Sequence, residues 1–431
     1  MSGKVVAIMP AKGSSERIKN KNLAVLDGEH LFKRKLRQLL DCKEIDEVYL
    51  DTDSDELAAL VDDLPVKVLK RPSELASNKT DGHELFAYEC AQVEADIYIQ
   101  TLCTAPFVDA ECISRALRQL SDSGSDSLIA IRKEKQYTWG EDEPNYGWGR
   151  IPNSVDLPPT YIEAMSLYMV KRGDVPITRR FTEKPSFFEL SPEESLDVNW
   201  PADLQLAETV SAGKRAQENL AMQALKPFLS SAILSDITRQ LGFDCTLPKE
   251  LKPNMGRRVF GLAKTLQLDH CQPGESWEGI YDALGSYEFV RPGDVIVVNN
   301  PVPDSAYFGN LNAGLASRAG SVGAVINGLT RDVNAVRNLD FPVFSHGHYC
   351  SDIKYRGVVR SMNKPVLIGE VRVANGDYVF GDEDGIVVVP REKWSEVKAA
   401  VLQGIDKEWR VGRAVAMGLP AKEIFNSIGE F

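Results

Sequence analysis

Residues 8–23 read Ile-Met-Pro-Ala-Lys-Gly-Ser-Ser-Glu-Arg-Ile-Lys-Asn-Lys-Asn-Leu. An apolar run, Val5 to Met9, stops at Pro10 and gives way to a turn of small residues, Ala11, Gly13, Ser14 and Ser15. Lys12, Arg17, Lys19 and Lys21 are interleaved with that turn, and Lys4 is close by. A strand that feeds a Gly/Ser turn exposes backbone N–H groups, and the cationic side chains add positive charge; both suit a polyphosphate. The stretch lacks Gly-x-x-x-x-Gly-Lys-Ser/Thr, so it is not a P-loop.

The elements that must position this loop alternate regularly. Val5–Met9, Glu47–Leu50, Val66–Leu69, Ile97–Gln100 and Ser127–Ile131 read as short apolar strands. Leu31–Leu40, Asp55–Leu60, Glu84–Val93 and Ala110–Leu120 between them carry helical periodicity. The expected fold is α/β, with a doubly wound, Rossmann-like parallel sheet in the first half. Residues 132–160, rich in Trp, Tyr, Pro and Gly, read as an excursion from that sheet. Residues 211–228 read as a helical connector that ends in Lys-Pro. Beyond it, Val290–Val298, Gly323–Ile326, Pro342–Phe344, Pro365–Ile368, Tyr378–Phe380 and Ile386–Val389 are short strands with Gly-Asp turns before several of them. The expected division is a domain at 1–212, a helical linker at 213–228, and a layered α/β domain at 229–431.

At 431 residues, two domains are expected. A net charge of −12 argues against a nucleic-acid surface over the whole chain, so the basic loop is a local exception. No apolar run approaches a membrane span, and the N-terminus lacks the long apolar region of a signal peptide, so a cytoplasmic location is expected, with neither nucleic acid nor membrane as partner. The seven cysteines are widely spaced with no Cys-x-x-Cys pair, which suggests buried reduced thiols rather than disulfides or structural zinc.

The order of the first segment, Pro-Ala-Lys-Gly-Ser-x-x-Arg-x-x-x-Lys-Asn-Leu, resembles the nucleotide loop of the acylneuraminate (CMP-sialic acid) cytidylyltransferases. Thr52-Asp53-Ser54-Asp55-Glu56, Arg71-Pro72-Ser73-Glu74-Leu75-Ala76, Gln100-Thr101-Leu102-Cys103-Thr104-Ala105-Pro106 and Asp197-Val198-Asn199-Trp200-Pro201-Ala202-Asp203-Leu204 follow in the family's order. The resemblance covers about residues 4–210. It implies that CTP and a 2-keto-3-deoxy sugar acid give a CMP-sugar and pyrophosphate. It also implies roles. Arg17 and Lys21 would hold the β- and γ-phosphates and act as the catalytic pair. Ala11, Lys12, Gly13, Ser14, Asn22 and Arg71 would contact nucleotide, and Gln100 would lie near the sugar. Asp197 and Asn199 would hold Mg²⁺ or Mn²⁺ with phosphate oxygens, and Asp203 would be structural. Lys12 stands where the family has Arg, which keeps the charge but not a bidentate clamp. Asn199 stands where it has Asp, so weaker metal binding is expected.

The second half carries another series: Arg291-Pro292-Gly293-Asp294, Gly309-Asn310-Leu311, Gly323-Ala324-Val325-Ile326-Asn327-Gly328-Leu329-Thr330-Arg331-Asp332, and Asp382-Glu383-Asp384-Gly385-Ile386-Val387-Val388-Val389-Pro390. It resembles the family that joins the 4-hydroxy-4-methyl-2-oxoglutarate aldolases with the RraA-like regulators of ribonuclease E, over roughly residues 229–420. The resemblance implies that Asp332 holds a divalent metal and Arg331 faces a pyruvate enolate, with amides of Gly309, Asn310, Leu311 and Asn312 cradling its carboxylate. A cation plus a metal is what an enolate requires. Asn310 and Asn327 stand where aldolase members carry acids. Pyruvate or a related 2-keto acid is the expected partner of this half. The alternative is a non-catalytic assembly or regulatory module. Both families form oligomers, so a trimer-based or hexameric homo-oligomer is expected.

Other candidates read as structural. His346-Gly347-His348 has no ligand set at fixed spacing, and His83 suits a helix start. No Gly-x-Ser-x-Gly elbow exists. Trp139, Tyr146 and Trp148 suit an interface better than a base or sugar platform.

Overall fold

The computed structural model describes residues 3–13, 21–77 and 79–429. The chain divides into two units, Met1–Ala212 and Gly213–Phe431. Ser14 and Arg17 of the basic loop lie outside the described residues.

The first unit is built on seven strands: β1 (Val5–Pro10), β2 (Glu47–Thr52), β3 (Lys67–Lys70), β4 (Ile97–Thr101), β5 (Ser127–Glu134), β6 (Thr160–Lys171) and β7 (Ser186–Glu189), in the order β3-β2-β1-β4-β6-β5-β7. β3, β2, β1 and β4 run parallel, as the strand–helix alternation predicts, and β6 turns antiparallel against β4 and β5. β1 is apolar without alternation because helices cover both sheet faces. The helices are α1 (Leu31–Leu40), α2 (Asp55–Ala59), α3 (Gly82–Gln92), α4 (Ala110–Asp122) and α5 (Pro201–Leu225). α4 buries Cys112, Ile113, Ala116, Leu117 and Leu120, a spacing that gathers one face. Its N-cap Asp109 accepts from the Cys112 N–H at 3.0 Å. The excursion at 132–160 is partly absorbed by the sheet, since β6 begins at Thr160.

Lys35 of α1 is fully buried and donates to the Val108 carbonyl. Burial pushes its pKa down to about 7. The unfolded chain keeps that proton up to about pH 10.4. Folding therefore sheds a proton between these values, and the penalty for burying the charge is full below pH 7 and fades toward pH 10. Lys35→Met is expected to raise unfolding free energy at pH 7 by about 1–3 kcal/mol, with a smaller gain at pH 9.5. Denaturant titrations at both pH values check it, and an unchanged or lowered stability at pH 7 contradicts it.

The second unit has a central sheet of β8 (Lys252–Pro253), β9 (Val259–His270), β10 (Asp294–Asn299), β12 (Gly323–Asn327), β14 (Val343–Ser345), β16 (Tyr378–Gly381) and β17 (Ile386–Val389), with β15 (Gly357–Met362) paired to β9. β11 (Ala306–Phe308) and β13 (Leu329–Thr330) pair separately. Helices α6 (Ser231–Gln240), α7 (Asn310–Arg318), α8 (Val333–Asn338), α9 (Trp394–Ala416) and α10 (Ala421–Ile428) complete the unit. The sequence predicts a strand from Val290, but β10 starts at Asp294 because Pro292 has no N–H to donate and Gly293 turns the chain at φ +91°. The connector is not a separate helix: α5 runs unbroken from Pro201 to Leu225, and its Arg215 pairs with fully buried Asp294 at 2.7 Å. Among the described residues, no helix is long and apolar enough to cross a membrane.

Candidate active sites of the two units

In the first unit the parallel register sets Pro10 against Asp51 and Ile8 against Gln100, so the loop after β1 opens at the C-terminal edge of the sheet. Open α/β sheets bind their ligands at that edge. The Ala11 N–H donates to the Asp51 carbonyl at 2.8 Å, and the Gly13 N–H donates to Asp53 Oδ1 at 2.9 Å. Asn22 Nδ2 donates to the Lys12 carbonyl at 2.6 Å. These bonds hold the two described flanks of the basic loop together. Lys12, Gly13, Lys21 and Asn22 line one pocket with Leu23, Ser54, Glu56 and Leu57.

Cys103 supports Asn22 of this pocket, its Sγ donating to Asn22 Oδ1 at 3.1 Å. Burial pushes the thiol up to about 11, with Lys21 and Lys35 opposing and Asp197 reinforcing the shift. At neutral pH the thiol keeps the proton it donates. Lys21 and Asp197 thus both act through space on this buried thiol. The Val198 N–H donates to the Thr104 carbonyl at 2.8 Å, which fixes Asp197–Asn199 beside the Cys103–Thr104 turn. Asp203 Oδ2 accepts from the N–H groups of Asn199 at 2.9 Å and Trp200 at 2.8 Å, a capping role at the start of α5. Asn199 Nδ2 donates to Asp197 Oδ2, while Asp197 Oδ1 is buried with no hydrogen-bond partner among the described residues. That orphaned oxygen fits a divalent cation. One carboxylate is enough for Mg²⁺, which takes its remaining positions from phosphate oxygens and water. Among the described residues no group of three or more His, Cys, Asp or Glu side chains forms a ready-made metal cage.

Arg71 and Gln100 stand elsewhere. Arg71 is buried and grips Asp51 Oδ2 through Nε at 2.9 Å and Nη2 at 2.7 Å. Gln100 is fully buried and donates to Glu89. Neither lines the pocket of Lys12 and Lys21. Burial, then a hydrogen bond and the nearby charge of Asp51, raise the Glu89 pKa well above the usual carboxylate range.

In the second unit Gly309, Asn310, Arg331 and Asp332 converge. The Asn310 N–H donates to Asp332 Oδ2 at 3.2 Å, and Arg331 Nε lies 3.7 Å from the same oxygen. Arg331 Nη2 pairs with Asp352 Oδ2 at 2.7 Å. Asp332 sits in the left-handed region at φ +57°, unusual for a non-glycine residue and tolerated best by Asp and Asn. A Cβ on Gly309 would come within 2.6 Å of Asp332 Oδ2, so the close approach requires glycine. Arg331 also lines a pocket with Asn254, Phe308, Thr330, Val333, Val336, Val343 and His348. The other two cradle candidates diverge. Leu311 is 80% exposed. Asn312 donates to the Tyr307 carbonyl at 2.8 Å and accepts from the Tyr287 hydroxyl at 3.2 Å.

Sequence reasoning missed a polar ladder beside this cluster. Gln267, Asn299 and Asn327 sit in register across β9, β10 and β12. Asn327 Nδ2 donates to Asn299 Oδ1 at 2.7 Å, and Asn299 Nδ2 donates to Gln267 Oε1 at 3.0 Å. His346 Nε2 donates to Asn327 Oδ1 at 2.7 Å, the tautomer following from the Asn327 amide orientation. Asp352 was likewise not paired with Arg331. The available signal was that three neighbouring strands each carry an amide at or near the C-terminal end.

Comparison with known proteins finds two families along the chain. Residues 6–143 match the cytidylyltransferase family, described as Cytidylyltransferase, and residues 231–388 match the RraA-like family, described as Aldolase/RraA. Protein DlpA of Legionella pneumophila is 30% identical over 203 residues, 46% of this chain and 32% of that protein. A putative 4-hydroxy-4-methyl-2-oxoglutarate aldolase of Halalkalibacterium halodurans is 32% identical over 147 residues, 34% of this chain and 66% of that protein. N-acylneuraminate cytidylyltransferase A of Danio rerio is 23% identical over 214 residues, 47% of this chain and 50% of that protein. The chain thus spans from about a third to just under two thirds of these relatives' lengths. Among solved structures, RraAS2 of Streptomyces coelicolor (27% identity, 44% of this chain, 92% of that chain) has a TM-score of 0.39. CMP:2-keto-3-deoxy-manno-octonic acid synthetase complexed with CTP (16% identity, 49% and 99%) has a TM-score of 0.37. The chain carries a domain of the cytidylyltransferase family at residues 6–143 and a domain of the RraA-like family at residues 231–388.

Proposed function

We propose that the first unit transfers a cytidylyl group from CTP to a 2-keto-3-deoxy sugar acid of the sialic or nonulosonic type. The observation that carries this reading is the pocket in which Lys12, Lys21 and Asn22 meet at the flanks of the basic loop; the orphaned Asp197 oxygen, whose carboxylate acts with Lys21 on the Cys103 thiol, supports it. The anomeric hydroxyl attacks the α-phosphorus and gives up its proton to water, and the bond from that phosphorus to the bridging oxygen breaks, so pyrophosphate leaves with the new negative charge. Lys21, with Arg17 beyond the described residues, neutralises that charge, and the Gly13 and Asn22 contacts hold the loop in position. Mg²⁺ or Mn²⁺ held by Asp197 and Asn199 would add charge neutralisation. The test is pyrophosphate release with CTP, UTP, ATP or GTP against sialic, legionaminic, ketodeoxynonulosonic and ketodeoxyoctonic acids. Release that depends on CTP and on one of the acids is expected. Release with no acid of the panel, or equally with all four nucleotides, contradicts the reading.

For the second unit the favoured reading is a divalent-metal-dependent aldolase acting on pyruvate-derived 2-keto acids. Its support is the contact of Arg331, Asp332 and the Asn310 amide. Asp332 would hold the cation while Arg331 stabilises enolate charge. A second reading, a non-catalytic assembly or regulatory module, is favoured by Asn327, whose two amide heavy atoms are both engaged by protein neighbours. A cytoplasmic homo-oligomer, trimer-based or hexameric, accompanies either reading.

A further inference from the structure

The turn after β4 makes a contact that the proposed reaction does not yet use. It is fixed by its backbone: the Leu102 N–H donates to the Ser166 carbonyl of β6 at 3.2 Å, and the Ala105 N–H donates to the Leu102 carbonyl at 3.2 Å. Cys103 in this turn is 3% exposed and belongs to the apolar core that includes Ala11 and packs Leu23. Its one polar atom reaches out of that core to Asn22 Oδ1 at 3.1 Å.

The direction of each bond follows from the groups present. The Lys12 carbonyl only accepts, so the Asn22 amide must turn Nδ2 toward it, and that bond is 2.6 Å long. Oδ1 then faces the thiol, and an amide oxygen only accepts, so Cys103 donates. The thiol keeps that proton at neutral pH because burial pushes its pKa up to about 11. Asn22 in turn joins positions ten residues apart, and Lys12, Gly13, Lys21 and Asn22 all line one pocket. The Lys12–Gly13 flank therefore has two tethers, Asp53 on the Gly13 N–H and Asn22 on the Lys12 carbonyl. The second is oriented by a donor seated in the rigid core, which lowers the cost of ordering the flank when a ligand binds.

We propose that Cys103 is a positioning residue for nucleotide binding: its S–H orients the Asn22 amide, and through Asn22 it sets the Lys12 flank of the basic loop for the triphosphate of CTP. This rests on the cytidylyl-transfer reading for the identity of the nucleotide.

The test is a set of substitutions in the full chain. In the pyrophosphate assay, Cys103→Ala is expected to raise KM for CTP about 5–10-fold, the worth of one hydrogen bond, while KM for the acid stays within about twofold. Cys103→Ser, which restores a donor at nearly the volume of Ala, is expected to recover most of the loss. Cys103→Val, which fills the space without a donor, is expected to behave as Cys103→Ala. In an Asn22→Ala background, Cys103→Ala is expected to change KM for CTP by less than about twofold, because the thiol acts through Asn22. An unchanged KM for CTP in the Ala or Val variant, a Ser variant as impaired as Ala, or an effect that persists in full without Asn22 overturns the proposal; the last two are what a purely structural role predicts. Calorimetry with CTP and with inorganic tripolyphosphate separates this proposal from the transfer reading. Tripolyphosphate affinity that falls in Cys103→Ala and returns in Cys103→Ser, without any pyrophosphate release, leaves the role of Cys103 standing and removes cytidylyl transfer. Pyrophosphate release by the wild type with equal CTP affinity in Cys103→Ala removes the role of Cys103 and leaves cytidylyl transfer standing.

Discussion

Replacing Asp197 with Ala is expected to slow pyrophosphate release from CTP by about 10²–10³-fold while leaving the fold intact. The side chain accepts a hydrogen bond from Asn199 Nδ2 at Oδ2, and Oδ1 has no hydrogen-bond partner among the described residues. The segment is held by the Val198 N–H on the Thr104 carbonyl and by Asp203 at the head of α5, neither of which needs the Asp197 carboxylate. What the substitution removes is a carboxylate that, like Lys21 of the pocket, acts on the buried Cys103 thiol. Asn199 supplies an amide oxygen and no charge, so it does not compensate. Raising Mg²⁺ is expected to recover activity more in Asp197→Asn than in Asp197→Ala, because the amide keeps one ligand atom. Kinetics across a Mg²⁺ series, with circular dichroism to confirm folding, check this. Wild-type rates in Asp197→Ala would exclude the carboxylate from the reaction.

The second large effect lies in the other unit. Asp332→Ala is expected to lower pyruvate release from oxaloacetate at least about 10²-fold with Mg²⁺ or Mn²⁺ present. Arg331→Ala is expected to match it, because the two side chains act on the same developing charge and do not contribute additively. The expectation rests on their contact: Asp332 Oδ2 takes the Asn310 N–H and lies 3.7 Å from Arg331 Nε, while Arg331 Nη2 is steadied by Asp352. Spectrophotometric coupling to pyruvate reduction reads the rate. Equal rates in wild type and Asp332→Ala would assign the unit to assembly or regulation.

The parallel core of the first unit was legible because β1, β2 and β4 are apolar runs closed by Pro10, Thr52-Asp53 and Gln100-Thr101, with capped amphipathic helices between them. β6 was not, because its first half is exposed and its second half is buried, which gives no single period. β9 was missed for a related reason. Val259–His270 is buried almost throughout and includes Gly261, Lys264 and Gln267, so it shows neither alternation nor an uninterrupted apolar run. Lys264 is tolerated inside because buried Asp294 lies 4.0 Å away, a partner thirty residues distant in sequence.

Of the site residues, those on the loop flanks and on the Arg331-Asp332 step could be named because their motifs are local. The groups that lean on them come from remote segments. Cys103 behind Asn22, Asp352 on Arg331 and His346 on Asn327 are joined only by the fold. Arg71 shows the reverse case. Its position in a motif suggested nucleotide, whereas the structure engages its guanidinium with Asp51, so it steadies the strand end that accepts the Ala11 N–H.

The most direct test of cytidylyl transfer is one incubation of the full chain with CTP, Mg²⁺ and the acid panel, in which pyrophosphate and the nucleotide product are both quantified. The account predicts equal amounts of pyrophosphate and a CMP-linked acid, with neither formed when the acid is left out. Pyrophosphate formed together with free CMP in the absence of acid, or no CMP-linked acid with any member of the panel, would contradict it.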